Sequence, residues 1–344
     1  MAAGRAETLP TTLLTGFLGS GKTTLLNGLL AHPGMGDTAV IVNEFGEIGL
    51  DHLLIETAFE DAVLLRSGCI CCTVRGDLAD TLLSLRERVG RGEIPPFHRV
   101  AIETTGLADP APILQTLMTD PTLLPHFRLD RVIATIDAVH GLGQLDQHYE
   151  AVKQAALADR LVLTKTDLAA PAAAARLAAR LAALNPGAPL VAGMRGALDP
   201  ALLFGSAETG AEEAAAARAR RLAAAAGLGH DHTPGESEAE HLSRHHGIAS
   251  LSLTRAAPVA WPALSAFLAA LAGFRGADLL RIKGIVNVAG RAGPVVIQGV
   301  QHLFHPPLAL KTWPDEDRRS RLVFITRNLP AERLAAALEA ALAE

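Results

Sequence analysis

Along the first two hundred positions, short β-branched apolar runs alternate with stretches of helical periodicity. The runs predict strands at Thr11–Thr15, Ala39–Val42, Ala62–Leu65, Val100–Glu103, Val132–Ile136, Leu161–Leu163 and Leu190–Ala192. Most are apolar throughout, as strands buried on both faces of a sheet must be. Helices are predicted after Lys22 and over Asp77–Val89, Pro112–Met118, Tyr149–Ala158 and Ala172–Leu184. This alternation is the pattern of an α/β domain, a mostly parallel sheet covered by helices.

The pattern then changes. Residues 205–246 are rich in Ala, Glu, Arg and His and contain no strand-like run; Glu212–Ala226 reads as a helix and Gly227–Glu238 as a loop. From Gly247 the order is strand (Ile248–Leu253), helix (Pro262–Leu271), strands (Leu279–Val288, Val295–Gln301, Arg321–Thr326) and a helix from Pro330. Consecutive strands flanked by helices predict a smaller C-terminal α+β domain. The boundaries expected are 1–204 for the first domain, 205–246 for a linker and 247–344 for the second. A length of 344 residues fits two cores better than one.

The uncharged stretch Ala256–Phe274 approaches membrane-spanning length, but Pro258 and Pro262 interrupt its first third, leaving a helix of roughly eleven residues, too short to span. The N-terminal residues lack the apolar core of a secretory signal. A net charge of −5 gives no broad electrostatic reason to bind nucleic acid or anionic lipid. Three cysteines crowded into one segment disfavour a disulfide framework, so a reducing, cytoplasmic setting is expected. Monomer and homodimer are both compatible with the sequence.

Gly16-Phe17-Leu18-Gly19-Ser20-Gly21-Lys22-Thr23, followed by Thr24, matches the phosphate-loop pattern between a predicted strand and a predicted helix. Its glycines let backbone N–H groups curl around phosphate oxygens at a helix N-terminus that favours anions. Lys22 would neutralise the β- and γ-phosphates, and the Thr23 hydroxyl would hold Mg²⁺. An acid for the cation is expected at a neighbouring strand end, and Glu103 in Val100-Ala-Ile-Glu103-Thr-Thr-Gly106 supplies it, with the Gly106 N–H facing the γ-phosphate. Leu107 follows, where some GTPases carry a water-positioning Gln, so slow intrinsic hydrolysis is expected.

Leu161-Val-Leu-Thr164-Lys165-Thr166-Asp167 ends another strand. Asp167 can accept from the guanine N1 and N2 donors, which adenine lacks, and the stem of Lys165 can cover the base face. Thr164 stands where many GTPases carry Asn, so that contact must be made differently.

All three cysteines, Cys69, Cys71 and Cys72, fall in Gly68-Cys-Ile-Cys-Cys-Thr73. Clustered thiolates attract Zn²⁺, Co²⁺ or Cu⁺. Three sulfurs leave a tetrahedral ion one ligand short; Glu44, Glu47, a histidine, water or a client's ligand are the candidates for the fourth. Gly68 and Gly76, with Thr73 and Arg75, place the segment on a loop, which would move when GTP is hydrolysed. Inert buried cysteines and a redox pair are the alternatives. Five histidines between His230 and His246 offer a second set of ligands or a solvated linker, whereas His302 and His305 suit a turn or a domain contact. Trp313 and the run Asp315–Arg321 fit a client-facing patch or a salt-bridged turn.

The order GFLGSGKTTLLN, NEFGEIGLD, GCICC, ETTGLADP and TKTD resembles the CobW-type GTPases, and LLRIKGIVNVAG, VVIQGVQHLFHPP and WPDEDRRSRLVFITRN resemble their C-terminal domain. The resemblance implies a P-loop GTPase fold and a nucleotide-dependent metallochaperone. In it Gly16–Thr23 bind phosphates, Glu103 takes the acidic-strand role, Lys165 and Asp167 read the base, and Cys69, Cys71 and Cys72 bind a transition metal, with Zn²⁺ first and Co²⁺ as the alternative. Glu44 and Glu47 match acidic positions of the family's NEFGE segment. A client metalloprotein is the implied partner. A metal buffer or sensor and a cobalt chaperone for cobalamin synthesis are the competing readings.

Overall fold

The computed structural model describes residues 8–43, 63–64, 70–74, 78–193, 198–204 and 247–343. These residues form two compact units.

The first unit is built on an eight-stranded sheet. Its strands are β1 (Leu9–Gly16), β2 (Thr38–Asn43), β3 (Val63–Leu64), β4 (Ile70–Val74), β5 (Arg99–Thr104), β6 (Phe127–Asp137), β7 (Arg160–Thr164) and β8 (Leu190–Ala192). They lie in the order β3-β4-β2-β5-β1-β6-β7-β8. Every pairing is parallel except that of β3 with β4. Helices α1 (Lys22–Leu30), α2 (Leu78–Gly90), α3 (Ala111–Thr119) and the one-turn α7 (Pro200–Leu203) belong to the same unit. Leu25, Leu26 and Leu29, on one stripe of α1, join Leu14, Val40, Ala101, Ile133 and Val162 in a core. Those five residues come from strands whose interior positions are almost fully buried, which explains their unbroken apolar sequence. Because the sheet is parallel, the C-terminal ends of β1, β2, β5, β6 and β7 share one edge, where ligands bind in open α/β sheets.

The second unit is built on an antiparallel sheet. Its strands are β9 (Ile248–Arg255), β10 (Leu279–Val286), β11 (Val295–Val300), β12 (Leu303–Phe304), β13 (Leu308–Ala309) and β14 (Ser320–Arg327), in the order β12-β11-β10-β14-β9 with β13 also on β11. Helices α8 (Trp261–Arg275) and α9 (Ala331–Ala343) contribute Leu264, Leu268, Leu271, Leu334 and Leu338 to a core with Ile282, Val286, Ile297, Leu322 and Phe324. Residues Leu142–Asp159 and Pro171–Pro189 cluster with this unit, and they carry α4 (Gly141–Gln147, from Leu142 on), α5 (Tyr149–Leu157) and α6 (Pro171–Leu184).

Inside this unit Arg281 and Lys283, alternate residues on β10, are both buried and both approach Asp159 Oδ1, at 2.6 and 3.1 Å. Lys283 Nζ also donates to the Ala158 carbonyl, and Asn185 Nδ2 lies 2.9–3.1 Å from the carbonyls of Ala155, Ala156 and Ala158. Cations are favoured at the end of α5, where carbonyls lack intrahelical partners.

Several expectations are corrected. Ile70–Val74 is a strand, not a loop: its β-branched Ile, Thr and Val pair with β2, and this ladder prevails over the flanking Gly signals. Pro262 does not interrupt the apolar helix, which starts at Trp261 and runs fifteen residues. In the first turn a missing N–H costs no hydrogen bond. Among the described residues no helix is long and apolar enough to cross a membrane. The helices α4 and α7 and the short strands β12 and β13 escape sequence patterning. Asp315–Arg321 is a salt-bridged turn: buried Arg321 makes a two-bonded pair with Asp315, and Arg319 holds Asp317, whose carboxyl it pulls down to about 2. Glu212–Ala226, Gly227–Glu238 and His230–His246 lie outside the described residues.

Candidate nucleotide and metal site

The phosphate loop runs from the end of β1 into α1. Gly16 has φ +143°, and a Cβ there would lie 2.3 Å from Thr135 Oγ1, so only glycine fits against β6. Gly19 and Gly21 have φ +69° and +87°. Gly21 stands in the N-cap position of α1 with no side-chain cap, at a helix N-terminus whose dipole favours an anion. Hydroxyls brace the loop from below, with Ser20 Oγ 2.7 Å from Thr135 Oγ1 and Thr104 Oγ1 donating to Thr15 Oγ1 at 2.9 Å. Lys22 Nζ donates to the carbonyls of Gly16 and Phe17 at 2.8 and 3.2 Å, so its ammonium bridges the loop it belongs to.

Thr23 and Glu103 meet. Thr23 Oγ1 donates to Glu103 Oε1 at 2.9 Å, and Glu103 is buried at the end of β5. A hydroxyl and a carboxylate side by side are the hard oxygen donors that suit Mg²⁺. Gly106 follows three residues later and closes on the phosphate loop, because a Cβ there would lie 2.8 Å from the backbone of Leu18. Leu107 is solvent-exposed and carries no hydrogen-bonding side chain.

Thr24, Thr164, Lys165 and Asp167 line a cavity of about 310 Å³ with Gly21, Leu25, Val162, Leu168 and Gly193. Thr164 supplies its contact through a hydroxyl that lies 2.7 Å from the Ser20 carbonyl and 3.1 Å from that of Ile136. Lys165 adopts φ +53°, and its Nζ donates to Asp137 Oδ2 at 2.7 Å. Burial by itself would raise the Asp137 carboxyl. Hydrogen bonds from Lys165 and from the Val139 and His140 N–H groups outweigh it and hold the carboxyl below the usual carboxylate range. Sequence reasoning passed over Asp137, although it carries the same signal that selected Glu103, an acid ending a buried strand.

The metal candidates are only partly in view. Cys69, Glu44 and Glu47 lie outside the described residues, and Cys71 and Cys72 are described as backbone of β4. Cys72 aligns with Ile41 on β2, which aligns with Ile102 on β5; one step on, Thr73, Val42 and Glu103 share a level. With adjacent strands about 4.8 Å apart, the Cys72 backbone stands about 10 Å from Ile102, beside the acid that meets Thr23. Among the described residues no three His, Cys, Asp or Glu side chains form a metal-sized group. The His305 N–H donates to the Gln298 carbonyl, a turn contact.

The sequence model of the CobW/HypB/UreG nucleotide-binding domain matches residues 10–192, and that of the cobalamin synthesis protein cobW C-terminal domain matches residues 248–342. The chain belongs to the CobW family. It is 37% identical over 326 residues to the zinc chaperone YjiA of Escherichia coli (strain K12), covering 95% of this chain and 96% of that protein. It is 32% identical to the zinc chaperone CobW of Pseudomonas aeruginosa, covering 97% and 92%. A crystal structure of the Zn(II)-bound YjiA GTPase from E. coli superposes with a TM-score of 0.75 at 34% identity, covering 97% of this chain and 99% of that one. Both the P-loop α/β unit and the C-terminal antiparallel unit of this CobW-family chain are therefore family features.

Proposed function

We propose that this chain is a GTP-hydrolysing metallochaperone that binds Zn²⁺ through Cys69, Cys71 and Cys72 and delivers it to a client metalloprotein. Gly16–Thr24 cradle the phosphates, Lys22 neutralises their charge, and the Gly106 N–H faces the γ-phosphate. Thr23 and Glu103 hold Mg²⁺, which supplies charge stabilisation at the transferring phosphoryl group when bound. Lys165 and Asp167 read guanine, with Thr164 fixing their loop to the phosphate loop. The first domain, expected over 1–204, hydrolyses GTP; 247–344 forms the C-terminal domain.

The observation that carries the reading is the register across β4, β2 and β5. It sets the thiol-bearing strand two strands from Glu103, so a change at the Mg²⁺ acid has a short hydrogen-bonded route to the cysteines. The similarity to proteins named zinc chaperones supports Zn²⁺ as the cargo. Glu44 or Glu47 would complete the shell. A three-thiolate site with one replaceable ligand suits transfer rather than storage.

Metal analysis of protein purified without tags, followed by competition for Zn²⁺ and Co²⁺ in the GTP- and GDP-bound forms, tests the proposal. One Zn²⁺ per chain, lost on Cys71→Ser and held more tightly with GTP, is expected. Stoichiometric metal with equal affinity in both forms would favour a metal buffer.

A further inference from the structure

Asp137 has no assigned part in the site, yet its side chain is almost completely buried at the edge where the nucleotide is proposed to bind. It ends β6 directly across from Thr164, the residue before Lys165, and the Ala138 N–H donates to the Thr164 carbonyl. The two carboxylate oxygens divide their work. Oδ1 accepts from the Val139 and His140 N–H groups at 2.8 and 3.1 Å, which fixes the carboxylate to its own turn. Oδ2 accepts from Lys165 Nζ at 2.7 Å.

Lys165 lines the cavity while its ammonium is bound to Asp137, which is not among the lining residues. The part of the side chain left to the cavity is its four-carbon stem. An unanchored lysine would sample many rotamers and carry a hydrated charge into the space the base needs. Lys165 also holds a left-handed backbone conformation, φ +53°, that a lysine rarely adopts without external fixing.

We propose that Asp137 is a positioning residue for guanine-nucleotide recognition, anchoring the Lys165 ammonium so that the lysine stem forms one apolar wall of the base site. The inference rests on the reading that this cavity takes the base. Its consequence is that the anchor can be broken from either end with the same result, and that the loss is confined to ligands that have a base.

The test compares Asp137→Asn, Lys165→Met, the double variant and Lys165→Ala for binding of GDP and of tripolyphosphate, which occupies the phosphate loop without a base. Asp137→Asn and Lys165→Met should each weaken GDP roughly tenfold, the scale of a lost charge-assisted hydrogen bond. The double variant should be no weaker than either single one, since both remove one interaction. Tripolyphosphate affinity should stay at the wild-type level, a result that general destabilisation of the loop would not give.

If Lys165→Ala leaves GDP binding unchanged, the base-site reading itself fails. If Lys165→Ala weakens GDP while Lys165→Met and Asp137→Asn do not, the base-site reading survives and the positioning role is overturned. Additive losses in the double variant, or equal losses for tripolyphosphate, also overturn it. Lys165→Met leaves the buried carboxylate intact, so it decides the matter even where Asp137→Asn folds poorly.

Discussion

The Thr164 hydroxyl lies 2.7 Å from the Ser20 carbonyl, joining the first residue of the base motif to the phosphate loop across 144 positions of sequence. The two halves of the proposed nucleotide site are thus held to each other by the side chain that stands where many GTPases have Asn. Thr164→Val keeps the shape and removes the donor. It should cost about 1 kcal/mol of stability, the usual net worth of one such bond. GDP and GTP affinity should fall together, because both contain base and phosphate. Chemical denaturation and nucleotide titration check the two parts.

Thr23 and Glu103 share one hydrogen bond and are proposed to share one cation. Thr23→Ala and Glu103→Gln should each abolish the Mg²⁺ dependence of GTP binding. Single-turnover hydrolysis should drop on the order of 100-fold, equivalent to about 2.7 kcal/mol of barrier. The wild-type rate should itself be slow, on the order of 10⁻³ s⁻¹ without metal or client, because Leu107 cannot orient water.

How far the site was legible in the sequence depended on how local its signals are. The phosphate loop is spelled out in eight consecutive residues, and the strand-end position of Glu103 follows from a buried run ending in an acid. Thr164 is visible in the sequence as a departure, but its acceptor, the Ser20 carbonyl, follows from the placing of β7 beside the loop. Asp137 ends a strand just as Glu103 does, but its partner, Lys165, lies 28 positions on, and only the pairing of β6 with β7 brings the two together. The Cys-containing strand is hidden for a different reason. Gly68 and Gly76 are local turn signals, whereas pairing with β2 is a long-range effect that no window of residues contains. The charges of Arg281 and Lys283, spaced by two in an otherwise apolar strand, were a visible period-two signal for a buried polar contact.

That contact carries its own expectation. Asp159 faces two buried cations, Arg281 and Lys283. Removing it takes a carboxylate from the buried Arg281 guanidinium, and breaking a buried pair by one partner costs about 3–5 kcal/mol. Asp159→Ala should therefore destabilise the protein more than Asp317→Ala, which loses the exposed Arg319 and a 3.5 Å contact to Arg321 while Arg321 keeps its two-bonded pair with Asp315. Denaturant titration of both variants makes the comparison.

Acid should act on the Asp137 anchor. Its carboxyl has a lower pKa in the folded chain than the ordinary value of 3.8, because hydrogen bonds outweigh burial. Such a group binds fewer protons folded than unfolded. Its contribution is complete above the unfolded pKa and falls away as the pH drops through the folded one. Stability measured downward from about pH 4 should decline less steeply in Asp137→Asn than in the wild type.

The central claim is that nucleotide and metal sites are coupled through the sheet that carries Glu103, the partner of Thr23, together with Cys71 and Cys72. Linkage requires that if GTP tightens Zn²⁺ binding, Zn²⁺ tightens GTP binding by the same factor. The decisive measurement is GTP affinity with and without one equivalent of Zn²⁺, in the wild type and in Cys71→Ser. Tighter GTP binding with Zn²⁺ in the wild type, at least about fivefold and absent in Cys71→Ser, is the predicted result. Equal GTP affinities with and without Zn²⁺ in the wild type would contradict it.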